Sequence, residues 1–179
     1  MFGYPVNGPT RRSFVRCPDD IVVVCKGKPG HVAIADEVVN VGRTRAHRVR
    51  LLHPEGERWG PVGGDAAMYL DGVEYLERLR RATRAVTDRS GGVAVLETRT
   101  GMALDVAMEV ATEGTACTIV LPYAAVPGWA FLWRLRRRCR RYLVFSPEVV
   151  VIRSRARART RLERALNRAH ARQRDSHKG

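Results

Sequence analysis

Residues 91–123, GGVAVLETRTGMALDVAMEVATEGTACTIVLPY, decide the fold. Within this stretch VAVLE is a short apolar run with β-branched residues and turn signals on both sides, which is typical of a buried strand. Small and apolar residues then recur at helical spacing up to Gly114, and CTIVLP follows as a second apolar run. A strand, a helix and a strand joined by short connections predict a βαβ unit. We therefore expect two adjacent parallel strands bridged by a helix, in an α/β Rossmann-like parallel sheet with flanking helices.

The sequence before this unit has a different character. Residues 1–18 are rich in proline and glycine, so we expect them to be irregular. Three short β-rich runs follow, separated by glycine, proline and charged residues, and they predict a small antiparallel meander. These runs are DIVVVCKG (20–27), GHVAIADEVVNV (30–41) and HRVRLLHP (47–54). From Tyr69 the apolar residues recur every three or four positions, which predicts an amphipathic helix that ends in the DRSGG turn.

Beyond the βαβ unit the pattern predicts a helix over 129–142, a further strand in EVVVI (148–152) and a closing helix with a thin apolar stripe. The chain then divides into three parts. We predict a β-rich N-terminal segment (1–48), a Rossmann-like domain (49–152) and a basic C-terminal helix or tail (153–179).

The net charge of +14 is concentrated at one end of the chain. Residues 133–179 contain 16 Lys and Arg against 3 Asp and Glu, which is a net charge of +13 for this quarter alone. A basic tract of this density attracts polyanions by releasing their counterions. A solvated tail or a surface that docks on an acidic partner is the alternative interpretation. The charge favours a nucleic acid as partner.

Arginines alternate with aromatic residues in WAFLWRLRRRCRRY (129–142). Arginines can hold phosphates while bases stack on aromatic rings, so the segment is suited to a single strand. In the alternative, Trp129, Leu132 and Tyr142 pack on the sheet and only the arginines meet solvent. The arginines predicted to bind nucleic acid are Arg134, Arg137, Arg138, Arg140, Arg141, Arg153, Arg155 and Arg168.

The turn between VAVLE and the following helix is a second candidate site. Ligands in parallel α/β sheets gather where strands end and helices begin, because free backbone N–H groups and the helix dipole favour anions there. Thr98, Thr100 and Arg99 offer donors to a phosphate, Gly101 lets the backbone approach a ligand, and Asp105 can accept from a ribose or base. An ordinary connection is the alternative.

The run LRRATRAVTDRSGGVAVLETRTGMALDVAMEVATEGTACTIVLP (79–122) resembles the SLOG superfamily of Rossmann-like domains, which includes the DNA-processing protein A family. Residues 101–105 match the family's small-residue turn and aspartate, and residues 118–122 match its T-I-A-V-L-P strand. Asn167 and Arg168 resemble a late Arg-Asn helix start. The resemblance covers roughly residues 50–175. It implies a non-catalytic protein that binds single-stranded DNA or, alternatively, a nucleotide-derived ligand at residues 98–105.

The pattern departs from that family in three places. Leu104 is directly followed by Asp105, the loop LLHPEGERWG replaces the family's usual glycine-rich one, and the chain ends before a last strand and its phosphate turn are expected. The resemblance therefore also implies a divergent or truncated member.

A hydrolase is a further alternative. PDDIVVVCKGKPGHVAIADEVVNV (18–41) is similar to the opening of permuted papain-like hydrolases, and it would supply His31 as the catalytic base. Cys117 and Cys139 would be the candidate nucleophiles. A reactive thiolate needs a helix start beside an imidazole. Cys117 enters a predicted strand and Cys139 lies in mid-helix, which disfavours this interpretation.

The remaining composition indicates no metal or cofactor. The four cysteines form no CxxC pair, and the histidines show no HExxH or paired ligand spacing. No apolar run reaches 18 residues, so we expect neither a membrane span nor a membrane partner. We expect a cytoplasmic location. A homo-oligomer is compatible with the sequence.

Overall fold

The protein was analysed as a computed structural model. The description covers residues 19–25, 29–54, 77–78, 80–101, 103–113, 115–123, 129–142 and 146–176. The expected irregular N-terminus, the start of the helix predicted from Tyr69 and the side chain of Arg141 lie outside the described residues.

Five strands and five helices alternate along the described chain. The strands are β1 (Asp20–Val24), β2 (Val49–Pro54), β3 (Ala94–Arg99), β4 (Ala116–Pro122) and β5 (Glu148–Ile152). The helices are α1 (Pro29–Arg45), α2 (80–88), α3 (Ala103–Thr112), α4 (Trp129–Tyr142) and α5 (Arg155–Ser176).

The strands form one sheet in the order β3-β2-β1-β4-β5, and every pair is parallel. The predicted α/β Rossmann-like fold is therefore confirmed. β2, β1 and β4 are the inner strands, and β1 and β4 are apolar along nearly their whole length, because both faces of a parallel sheet are covered by helices. The chain order reverses between β1 and β4, which makes this the topological switch point of the sheet.

Two apolar layers cover the two faces of the sheet. One contains α1 and α5, with Ile34, Val38, Leu162 and Leu166 packed on β1 and β4. The other contains α3 and α4, with Leu135 completely buried. Burying such side chains contributes about 1.5–3 kcal/mol each, so the two layers are the main source of stability.

The structure corrects the expected neighbours of the βαβ unit. β3, α3 and β4 lie within the predicted stretch, but β2 and β1 separate the two strands in the sheet. The connection from β3 to β4 thus crosses to the other half of the sheet. This crossing creates the switch point.

The predicted antiparallel meander is wrong. Residues 20–24 and 49–54 are parallel strands of the main sheet, and residues 29–45 form helix α1. The sheet therefore extends across the domain boundary suggested at residue 48. His31, expected in a strand, is buried in the first turn of α1.

The later elements follow the sequence pattern. The predicted helix over 129–142, the strand over 148–152 and the closing helix are confirmed as α4, β5 and α5. Gly91, in the turn after α2, has a φ of 65°, which explains why glycine ends that helix. Among the described helices, none is long and apolar enough to cross a membrane.

Candidate functional site

The carboxyl ends of β4 and β5 bring an aromatic ring and a guanidinium together. The two strands are neighbours, with Pro122 opposite Ile152. Tyr123 and Arg153 follow these residues directly, so they meet at the same edge of the sheet. The Arg153 guanidinium carbon lies 4.9 Å from the centroid of the Tyr123 ring. This cation–π pair stands beside the switch point, where ligands bind in open parallel sheets.

A cavity of about 710 Å³ extends from this pair along β5, between α4 and α5. Residues 148–151 of β5 and Leu132 of α4 contribute to its lining, and Tyr123 and Trp129 add two aromatic rings. We call it the arginine cavity. Its arginines are Arg136, Arg153, Arg161, Arg164 and Arg168.

Two of these arginines bind the backbone of β5. Arg136 donates from Nη2 to the Val149 carbonyl at 3.2 Å, and Arg161 donates from Nη1 to the Val151 carbonyl at 3.0 Å. β5 is an edge strand of the described sheet, and an unpaired strand edge is a template for aggregation. The two guanidinium groups therefore protect the edge and fix positive charge along it.

The cavity has a strong excess of positive charge. Among the described residues that line it, Glu148 is the one carboxylate against five arginines, which gives a net charge of +4 for that part of the lining. Glu148 is already bound by Arg168, whose Nε lies 2.9 Å from Oε1, and by Arg172. Arg153 and Arg164 form no ion pair with a carboxylate of the described residues. These two cations are available to an anionic ligand.

A second depression of about 610 Å³ adjoins the arginine cavity on α4. It shares Trp129, Leu132 and Arg136 with the cavity. Arg137 lies over the Trp133 ring, with the guanidinium carbon 4.9 Å from the centroid. The side chain of Trp129 is 76% exposed. The expectation that Trp129 packs on the sheet is therefore wrong, and Leu132, which is buried, takes that position instead.

The predicted nucleic-acid arginines do not form one surface. Arg153 and Arg168 line the arginine cavity, and Arg137 and Arg140 line the depression beside it. Arg134 and Arg138 are exposed on α4 outside both. Arg155 instead lies 3.9 Å from Glu37 of α1.

Sequence reasoning missed three arginines of the cavity. Arg161 and Arg164 precede Arg168 by seven and four residues on α5, so the three share one helix face. Arg136 lies seven residues after Trp129 on α4, which again places both on one side of a helix. Helical spacing applied to the arginines, as it was to the apolar residues, is the signal that could have found them.

The predicted turn at residues 98–105 lies at the opposite edge of the sheet, since it follows β3. Thr98 lies near the end of β3, Thr100 and Gly101 lie in the connection, and Asp105 lies in the first turn of α3. Gly101 has a φ of 135° that favours glycine. Arg99, however, pairs with three carboxylates. Its distances to oxygens of Glu97, Glu109 and Glu113 are 3.1, 2.8 and 2.8 Å.

The ion pairs of Arg99 reduce its capacity to bind phosphate. The hydrogen bond to Glu97 and the charges of Glu109 and Glu113 raise the pKa of Arg99, so its positive charge is strongly held within the protein. Ligand binding at this turn stays a prediction.

The candidate thiols for hydrolysis are in the wrong environment. Burial raises the pKa of both Cys117 and Cys139 to about 11. A nucleophilic cysteine needs the opposite change. The two cysteines lie in β4 and the middle of α4, both buried.

Comparison with known proteins connects the chain to a group of solved structures. No protein-family model and no curated protein matches the sequence. A universal stress protein family member from Burkholderia pseudomallei has 18% identity and a TM-score of 0.53, covering 76% of this chain and 97% of its own. A universal stress protein in complex with cAMP has 14% identity and a TM-score of 0.49, covering 77% and 99%. One from Archaeoglobus fulgidus in complex with dAMP has 19% identity and a TM-score of 0.45, covering 75% and 97%.

These findings correct the resemblance drawn from the sequence. The chain shares its fold with the Burkholderia universal stress protein, and the assignment to the SLOG superfamily is wrong. That assignment rested on short motifs at residues 101–105 and 118–122 and on Asn167 and Arg168.

The predicted function, single-stranded DNA binding in the manner of DNA-processing protein A, depended on that assignment and is wrong as well. The basic C-terminal quarter does not present its arginines as one track. Arg159 pairs with Glu37 at 2.9 Å, while Arg168 and Arg172 pair with Glu148. The positive charge available to a nucleic-acid strand is therefore smaller than the formal net charge of the segment.

Proposed function

We propose that the protein binds a mononucleotide, or a closely related nucleotide-derived ligand, in the arginine cavity. The observation that carries this proposal is the combination of five arginines and two aromatic rings around one cavity of about 710 Å³. Ligand sites of this kind have volumes of about 300–1,000 Å³. One end of the cavity, at Tyr123 and Arg153, lies at the carboxyl ends of β4 and β5, the edge of a parallel sheet at which ligands bind.

The phosphate is the part of the ligand that the cavity selects most strongly. Arg153 and Arg164 have no carboxylate partner among the described residues, and Arg136 and Arg161 are already oriented by their bonds to β5. Guanidinium groups bind phosphate oxygens through charge-assisted, often bidentate hydrogen bonds. A bound phosphate would supply negative charge to balance these arginines, because Glu148 is already paired with Arg168 and Arg172.

The base would stack at the mouth of the cavity. Tyr123 and Trp129 are 55% and 76% exposed, and the Tyr123 ring also carries the Arg153 guanidinium over one face. A planar base can stack on such a ring and gain about 1–3 kcal/mol. An aromatic mouth and a cationic interior match a ligand with a ring at one end and phosphate at the other.

The geometry favours one nucleotide over a strand. The exposed rings and unpaired guanidinium groups surround a single cavity, while Arg155 and Arg159 are paired with Glu37 elsewhere. It also favours this cavity over the turn at residues 98–105, because Arg99 there is bound by three carboxylates. A phosphate at that turn would have to displace existing ion pairs.

Calorimetric titration of the protein with AMP and ATP tests the proposal. We expect saturable binding of one nucleotide per chain, and weaker binding of adenosine, which lacks the phosphate. Replacing Arg164 by alanine removes one charge-assisted contact, so the dissociation constant should rise by about 10- to 100-fold.

Arg157→Ala is the matched control, since Arg157 is exposed on the same helix and does not line the cavity. Trp129→Ala should weaken the nucleotide and adenosine alike, because it removes the stacking surface. Equal effects of the Arg157 and Arg164 variants, or equal affinity for AMP and adenosine, would contradict the proposal.

A further inference from the structure

A second group of polar side chains lies at the amino ends of β1 and β2, away from the carboxyl ends where Tyr123 and Arg153 meet. Asp19 directly precedes β1, His47 precedes β2, and His170 lies in α5. One donor atom from each residue lies within 4.8 Å of the other two. Three separate segments of the chain therefore converge on one point.

The backbone fixes the position of His47. Helix α1 ends at Arg45, and Ala46 adopts a left-handed conformation with a φ of 56°. The His47 N–H then donates to the Gly42 carbonyl at 2.9 Å, which is the six-to-one bond of a Schellman motif. This turn holds the His47 backbone in place. It does so at some cost in conformational free energy, because a non-glycine residue such as Ala46 rarely adopts the left-handed conformation.

Asp19 and His170 contact His47 from two sides. The Nδ1 atom of His47 lies 2.7 Å from Oδ1 of Asp19 and 2.8 Å from the Asp19 main-chain oxygen. The His47 and His170 rings stack, with centroids 5.3 Å apart and planes inclined by 23°. The side chain of His47 is 4% exposed and that of Asp19 is 60% exposed. An ion in solution can therefore reach the cluster from the Asp19 side.

We propose that Asp19, His47 and His170 form a binding site for a divalent transition-metal ion of the zinc type. Two imidazoles and one carboxylate are a common set of protein ligands for such ions, with a solvent molecule completing the coordination. Ligand atoms about 2.1 Å from a tetrahedral ion are about 3.4 Å apart, so a 4.8 Å separation closes by at most about 1.4 Å.

The required movement falls on the exposed members of the cluster. Rotation of the half-buried His170 ring brings its donor atom closer, and rotation of the solvent-facing Asp19 side chain widens the 2.7 Å separation from His47 Nδ1 to about 3.4 Å, while His47 stays fixed by its turn. The ion takes the place of the proton between His47 and Asp19. Arg45 and Arg174 add positive charge near His170. The ligand set of one carboxylate and two imidazoles disfavours Ca²⁺ and Mg²⁺, which depend on several oxygen ligands, and favours imidazole-preferring metals.

Titration of chelator-stripped protein with Zn²⁺, in competition with a coloured chelator, tests this site. We expect one Zn²⁺ per chain. His170→Phe keeps an aromatic ring against His47 but removes the donor nitrogen, and Asp19→Asn keeps a hydrogen-bond acceptor but removes the charge. Loss of a residue that only hydrogen-bonds to a metal ligand typically lowers metal affinity by about 10- to 100-fold. Because each of these variants changes a ligand itself, we expect the Zn²⁺ affinity to fall by at least this factor.

Two further measurements separate this site from weaker explanations. His53→Gln removes a histidine at the other end of β2, outside the cluster, and should leave the affinity unchanged. Co²⁺ in place of Zn²⁺ should give visible absorption bands in the wild type that are absent in His170→Phe. Failure of the wild type to compete for Zn²⁺, or equal affinity in the wild type and both cluster variants, overturns the proposal. Nucleotide titrations of the same variants test the arginine cavity separately, so that failure of the metal-site proposal can be distinguished from failure of the proposed nucleotide site.

Discussion

Arg50 is the point at which the structure makes its most quantitative prediction about stability. It lies in β2 with 5% of its surface exposed. Its Nε and Nη2 atoms donate to the two carboxylate oxygens of Glu97 on β3, at 2.6 and 2.7 Å. Nη2 also lies 2.8 Å from a carboxylate oxygen of Glu113, and Nη1 donates to the Thr115 hydroxyl at 3.0 Å. One guanidinium thus joins β2, β3 and the end of α3.

Replacing Arg50 by methionine leaves Glu97 and Glu113 without this shared cation. Removing one partner of a buried ion pair costs about 3–5 kcal/mol. Glu97 and Glu113 keep 20% and 33% of their side chains exposed, so solvent screens part of the loss. We therefore expect the free energy of unfolding to fall by about 3 kcal/mol, which lowers the Tm of a chain of this size by about 6–12 °C.

Urea unfolding followed by circular dichroism measures this change. Arg48→Met is the matched control, because Arg48 is exposed two residues earlier and should change stability by less than about 0.5 kcal/mol. The double variant Arg50→Met with Glu97→Met should recover much of the loss, since replacing both partners by apolar groups is often nearly neutral. A loss below about 1 kcal/mol for Arg50→Met, or strictly additive losses in the double variant, would refute the reasoning.

The pH dependence of stability gives the same prediction a second readout. The hydrogen bond from Arg50 is the main reason that the pKa of Glu97 lies below its usual value. A carboxylate with a lowered pKa stabilises the fold at pH above its unfolded value of about 4.3, and this contribution is lost as the pH falls through the folded value. The wild type should therefore lose more stability below about pH 4.3 than Arg50→Met does.

Three further predictions concern packing and the thiols. A Cβ at Gly42 would lie 2.5 Å from Val49 Cγ2 and 3.2 Å from the His47 carbonyl oxygen. Gly42→Ala should therefore lower the free energy of unfolding by about 1–3 kcal/mol, although alanine favours the helix more than glycine does. An unchanged or higher urea midpoint would contradict this. Leu135 is fully buried, and Leu135→Ala should cost about 2–5 kcal/mol in the same assay, against less than about 1 kcal/mol at an exposed site of α4 such as Arg138→Ala. Because burial raises the pKa of Cys117 and Cys139 to about 11, peptide-level labelling at pH 8 should leave both thiols unmodified until urea unfolds the chain, and prompt labelling of either would count against their burial.

The sequence predicted the second half of the fold better than the first. The elements from β3 to α5 show clear periodicity, and their type follows from it. Helix α1 was mistaken for strand because GHVAIADEVVNV is rich in β-branched residues, which favour strands. Its buried positions nevertheless recur at helical spacing, at Ile34, Ala35, Val38, Val39 and Val41. Packing on the sheet decides the conformation there, and intrinsic propensity does not.

The order of strands in the sheet could not be predicted from the sequence. A βαβ pattern requires parallel strands but does not say how many others lie between them. The position of β2 and β1 between β3 and β4 is set by long-range pairing, such as Val49 opposite Ala94 and Ile21 opposite Val49. The predicted ligand turn therefore follows an edge strand, far from the switch point.

The candidate site was partly visible in the sequence. The basic C-terminal quarter and its aromatic residues were identified, and Arg153 and Arg168 belong to the arginine cavity. Counting charges did not reveal which arginines are bound by Glu37, Glu148 or the β5 carbonyls, because those partners lie far away in sequence. The sequence therefore suggested a polyanion track where the structure has one cavity.

Photoaffinity labelling with an azido-adenine nucleotide, followed by peptide mapping, tests the central claim most directly. The azide is on the base, so the label should fall on peptides that contain Tyr123 or Trp129, and excess AMP should suppress it. Arg164→Ala should reduce the labelling at low nucleotide concentration, and Arg157→Ala should not. Labelling of the turn at residues 98–105, or labelling that AMP does not suppress, would contradict a nucleotide site in the arginine cavity.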